Sequence, residues 1–170
     1  EAAAARRREA ASVAPPFPAQ LSRFVSAALA SVGPEGAWAL AAEPAGSALL
    51  QSVCWALAHD ESQMRAVVPC LLRATHGEGL DKVRAGAWGE LARDRAGSHL
   101  AEAVLRAAPP ALAGELIDAF LLPGGGAEAA DAAPHPTANF VVQAALDSCP
   151  DSARLKALLE AVAPVARELL

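Results

Sequence analysis

Asn139 and Gln143 stand four residues apart, with aromatic Phe140 directly after the first of them. Residues i and i+4 share one face of a helix, so the two amides can point the same way. Each amide carries one carbonyl acceptor and one NH2 donor. Two of them in fixed positions can meet a flat partner that presents donors and acceptors along one edge, while the neighbouring aromatic ring stacks on its face. Two earlier stretches repeat the spacing: Ser98, His99 and Glu102, and then Ser47, Ala48 and Gln51. Glu102 only accepts hydrogen bonds, so it suits an edge offering two donors, whereas an amide serves one donor and one acceptor.

Ser47, Ser98 and Asn139 each stand where a helix is expected to begin, and Ser and Asn are common N-caps. A capping box, however, places Glu or Gln three residues after the cap. Here the spacing is four in all three stretches, which favours a shared outward face. Other constellations are poor in chemistry. Ser98 and His99 are sequence neighbours and point about 100° apart on a helix, with no G-x-S-x-G elbow around them. Cys54 falls on an apolar stripe and reads as core. His59, His76 and His135 are scattered and form no metal-ligand pattern. The glycines at 124–126 lack the Lys-Ser/Thr of a phosphate loop and read as a flexible linker. The residues point to no catalytic centre, no metal and no small-molecule cofactor.

The elements that must position these side chains are helices. The chain has 170 residues, 54% of them hydrophobic, many of these alanine, and it has no Tyr. Alanine is the best helix former, so the class is all-α. Apolar spacing places helices over residues 20–31, 35–42, 47–58, 61–75, 80–93, 98–107, 109–121, 127–133, 139–148 and 151–169. Pro69 and Pro164 fall inside two of these and should bend them. Trp38, Trp55 and Trp88 read as core anchors. Residues 1–19, with Arg6, Arg7, Arg8 and a proline-rich break, read as a tail or linker. Residues 20–170 read as one helical unit. Three widely spaced cysteines make a disulfide framework improbable, and no apolar run is long enough to span a membrane. A formal charge of −5 argues against nonspecific electrostatic binding of nucleic acid. The chain starts at Glu1, which suggests a piece of a longer protein.

The three stretches belong to longer segments, 43–57, 94–108 and 135–149, that superpose without gaps. Ser47, Ser98 and Asn139 are separated by 51 and 41 residues. The second interval approaches the period of helical solenoids, and the first contains one unit with an insertion. Each unit has a short helix, a break, a central helix and a return helix. Such units bury their apolar faces only by stacking. Leu49, Leu100 and Val141 are expected at one core position, and Val53, Val104 and Ala145 at another.

These segments resemble Pumilio repeats, most closely at residues 138–143 and also at 96–102 and 45–51. Within that superfamily they are most similar to the nucleolar protein 9 family of small-subunit ribosome assembly. The resemblance implies an α-α superhelix, a helical-repeat solenoid forming a segment of a longer array. It implies binding of single-stranded RNA, as pre-rRNA, in the nucleus and nucleolus, with ribosome-assembly proteins as further partners. It also implies roles: the first and fifth motif residues read a base edge and the second stacks. On that basis Ser47 and Gln51 would read adenine, Ser98 and Glu102 guanine with His99 stacking, and Asn139 and Gln143 uracil with Phe140 stacking. With RNA antiparallel to the protein, the order is 5′-UGA-3′. The competing reading is a protein-binding scaffold of the HEAT or armadillo type, which does not need a polar pair beside a stacker.

Overall fold

The computed structural model describes residues 18–84 and 86–168; the basic stretch Arg6–Arg8 lies outside them. The described residues are helical, without a strand. Helix α1 (Pro18–Ala41) has two arms that meet at Gly33, whose φ of 70° and ψ of 174° break the helix. They correspond to the two separate helices expected from the sequence. There follow α2 (Pro44–Leu57), α3 (Glu61–Leu71), a 3₁₀ turn at Leu80–Lys82, α4 (Ala87–Arg93), α5 (Gly97–Ala107), α6 (Pro110–Phe120), α7 (Pro123–Ala132), α8 (Ala138–Ser148) and α9 (Ser152–Glu168). Prolines at the first turns of α2, α6 and α7 cost no hydrogen bond there and preset φ.

The three segments that superpose in sequence become α2, α5 and α8, and these pack side by side, α2 on α5 and α5 on α8. The other helices flank them: α1 lies on α2 and α3, α4 on α5, and α7 on α9. The result is a stack of helical units, an α-α superhelical repeat. Its core runs continuously from Val25 and Leu29 on α1 to Leu158 on α9. Leu100, Val104, Val141 and Ala145 are buried, as the repeat requires.

Leu49 departs from that pattern. It is 60% exposed, and Leu50 takes the core position beside it. The equivalent Leu100 and Val141 are buried in the two helices that have another central helix before them. Among the described residues α2 has none before it. Phe24 is likewise 71% exposed, because the buried stripe of α1 runs through Val25 and Leu29, one turn apart.

Three local expectations are corrected. The helix expected to reach residue 75 ends at Leu71. Arg73 is left-handed, with φ 64°. The Ala74 amide donates to the Pro69 carbonyl at 2.9 Å and the Arg73 amide to Cys70 at 3.3 Å. This is a Schellman ending with Arg where Gly is usual. The helix expected over 80–93 starts only at Ala87, because Gly86 is left-handed (φ 82°). Finally, the glycines at 124–126 are an ordered left-handed turn, with φ of 63°, 76° and 88°. Gly126 is buried, and a Cβ there would collide with the Cβ of Ala161 on α9.

Of the tryptophans, Trp88 is buried and stacks on Phe120 with ring centroids 5.3 Å apart. Trp38 and Trp55 are half-buried against the core. The Arg73 guanidinium lies over the Trp38 ring, 4.2 Å from its centroid.

Candidate nucleic-acid interface

The first four amides of a helix lack intrahelical partners. In all three units they are met by one repeat position, four residues before the candidate reading residue. Glu43 accepts from the Gly46 amide at 2.8 Å. Asp94 accepts from Ala96 and Gly97 at 2.9 and 2.7 Å. His135 accepts through Nδ1 from Thr137 and Ala138, both at 3.3 Å. Ser47, Ser98 and Asn139 are therefore not caps; each sits within the first turn.

Side-chain hydroxyls then tie each unit to the next. Ser47 Oγ donates to the Ala96 carbonyl at 2.7 Å, and Thr137 Oγ1 donates to the Arg93 carbonyl at 3.1 Å. These links tie the start of α2 to that of α5, and the start of α8 to the end of α4. At the opposite ends Arg106 Nη2 on α5 approaches Asp147 Oδ2 on α8 at 3.8 Å. The three helices run parallel, so residues of equal repeat position lie in rows.

Each helix carries a column along one face: Ser47–Gln51–Trp55, Ser98–Glu102–Arg106 and Asn139–Gln143–Asp147. Within columns the side chains hold one another. Gln51 Nε2 donates to Ser47 Oγ at 3.1 Å. Gln143 Nε2 donates to Asn139 Oδ1 at 3.1 Å, and Asn139 Nδ2 donates to the His135 carbonyl at 2.7 Å. Arg106 Nη1 donates to Glu102 Oε2 at 2.6 Å, and His99 Nδ1 lies 3.3 Å from Glu102 Oε1. The positions beside the pairs, Ala48, His99 and Phe140, are all exposed.

The chain matches the model of the NOP9-like PUF repeat domain over residues 1–170. It belongs to that family. No curated protein and no solved structure matches it. The NOP9-like PUF repeats are, at family level, RNA-binding and non-catalytic units of ribosome biogenesis.

Seen as PUF repeats, the three columns are unequal. Ser47 and Ser98 are buried, and their hydroxyls are engaged inside the protein, Ser98 with the Arg95 carbonyl at 3.3 Å. Gln51 and Glu102 are half-buried, Gln143 is exposed, and Phe140 is 48% exposed. The third column alone brings two outward amides next to an exposed aromatic. Asn139 uses one N–H and its oxygen internally and Gln143 one N–H, which leaves the second N–H of each and the Gln143 carbonyl with capacity for a base edge.

Trp55, Arg106 and Asp147 continue the i, i+4 series of each column and line one cleft. The same four-residue spacing marks them in the sequence. The capping position was legible in the same way, as the first residue of segments 43 and 135 and of segment 94, but Glu, Asp and His share no obvious type. No helix among the described residues is long and apolar enough to cross a membrane.

Proposed function

We propose that these PUF repeats bind single-stranded RNA by its bases, as pre-rRNA in small ribosomal subunit maturation in the nucleolus, in company with ribosome-assembly proteins. Residues 20–170 form the repeat segment. The protein acts by occupancy, holding or shielding an RNA segment. The observation that carries this reading is the alignment of three i, i+4 polar pairs on parallel helices, each beside an exposed position, with Phe140 there in the third.

The three sites are unequal. Asn139, Gln143 and Phe140 recognise uracil in full. Glu102, with Ser98 turned inward, accepts from guanine beside His99, and Gln51 faces adenine with no stacker at Ala48. The test is titration of a labelled RNA with a UGA core and a scrambled core. Asn139→Ala/Gln143→Ala should weaken the UGA complex by about tenfold or more, as loss of a two-point base contact does, while the scrambled core changes little. Equal affinities for all four combinations would discard the base code. Absence of saturable binding to either RNA would turn the assignment to a protein-binding scaffold.

A further inference from the structure

The turn that leads into α5 is anchored carbonyl by carbonyl. The Thr137 hydroxyl donates to Arg93 at 3.1 Å and the Ser98 amide to Asp94 at 2.9 Å. The Ser98 hydroxyl donates to Arg95 at 3.3 Å and the Ser47 hydroxyl to Ala96 at 2.7 Å. The Asp94 carboxylate, in the same turn, accepts from the Ala96 and Gly97 amides. Residues 93–96 are therefore held by α5 itself and by the units on either side of it.

This turn presents Arg95. The side chain is exposed, and among the described residues its guanidinium has no carboxylate or hydrogen-bond partner. Arg65, Arg73, Arg84, Arg93, Arg106 and Arg154, in contrast, each pair with a carboxylate. The repeat does not call for a cation here, because the equivalent residues of the other two units are Pro44 and Pro136. Nor does the helix, whose N-terminal end is already positive and disfavours a cation. An anion reaching this edge meets the guanidinium and the positive helix end together. Arg95 stands three residues before Ser98 and four before exposed His99. It thus lies at the N-terminal edge of the row of polar pairs. A strand whose bases lie on that row has its sugars and phosphates along an edge.

We propose that Arg95 contacts a phosphate of the bound strand, at the nucleotide whose base faces Glu102, and that Ser47 and Ser98 are positioning residues that hold the turn carrying it. The contact rests on the assignment of the row to single-stranded RNA, and it adds affinity that is blind to base identity. It gives the two inward serines a task other than reading a base.

The test titrates UGA-core and scrambled-core RNA against the full chain over a range of salt. Arg95→Ala should bind both cores about two- to fivefold more weakly. It should also lower the slope of log affinity against log salt by about 0.7, the share of one phosphate on a single strand. Arg95→Lys should keep the slope. A neutral methylphosphonate at one of the two linkages of the core guanosine should weaken the wild type by the same factor and leave Arg95→Ala unaffected. Ser47→Ala should weaken both cores without changing the preference between them, and should add nothing in the Arg95→Ala background. An unchanged salt slope in Arg95→Ala, or methylphosphonates at both linkages that act alike on the two proteins, would overturn the contact while RNA binding stands. A Ser47→Ala loss of the same size with and without Arg95 would overturn the positioning role. Absence of saturable binding of either core by the wild type would remove the contact together with the RNA assignment.

Discussion

Single residues decide how each central helix starts and how α3 stops. Asp94 meets two helix amides by itself, so Asp94→Ala should lower stability by about 1 kcal/mol in chemical denaturation. Arg73 separates two opposing effects. Its left-handed backbone costs about 1–2 kcal/mol in a non-glycine residue, while its guanidinium lies over Trp38 and within ion-pair reach of Glu35 and Glu90. Arg73→Ala loses the contacts and keeps the strain; Arg73→Gly loses the contacts and removes it. The glycine variant should therefore unfold at higher denaturant than the alanine variant, with a difference of about 1 kcal/mol. Burial pushes the Cys54 thiol up to about 12, so it should stay unmodified by a thiol reagent at neutral pH while the fold is intact. Single-residue features are also the least legible in the sequence. The identity of a C-terminal cap is read from glycine, and Arg73 carries no such mark. The burial of Ser47 depends on the Ala96 carbonyl, which only the packed neighbour supplies.

Helices were more legible because their signals are summed over many residues. The apolar period located α2, α5 and α8 to within a few residues, and the repeat identified them as equivalent. What it could not settle was which neighbour each face meets. Leu49 and Leu100 are identical in type and repeat position, yet one is 60% exposed and the other fully buried. Leu100→Ala should cost about 2–5 kcal/mol, and Leu49→Ala less than about 0.5 kcal/mol; thermal or urea unfolding compares the two directly. The contact between α7 and α9 rests on glycine. Gly126→Ala would meet both a positive φ and the Cβ of Ala161. It should destabilise by about 1–3 kcal/mol and should not be rescued by the usual gain in helix propensity.

Across the described residues, charge is arranged as largely exposed pairs, some within a helix turn and some between units. Arg65 joins Glu61 and Glu115, and Arg154 joins Asp118 and Asp151. Hydrogen bonds from the Arg65 and Arg84 side chains hold the Glu115 and Glu90 carboxyls below their ordinary range, and the Arg154 backbone amide with its guanidinium does the same for Asp151. A carboxylate whose pKa is lower folded than unfolded contributes stability above its unfolded pKa, and that contribution fades as pH falls through the folded value. The melting temperature should therefore be flat from neutral pH to about pH 5 and decline below about pH 4, by a small amount because these groups are exposed. Salt should reduce the difference between the two ends of that range. The side-by-side order of α2, α5 and α8 has a consequence for opening in solution. Among the described residues α5 is the central helix with another central helix on each side, and in a stacked array with neighbour-only contacts the units with fewer neighbours open first. Amide hydrogen exchange should accordingly be slowest in Leu100–Leu105 and faster in the middle turns of both α2 and α8. The guarded centre would then be a helix whose own base-facing serine is turned inward, with the most complete reading column on the more readily opened flank.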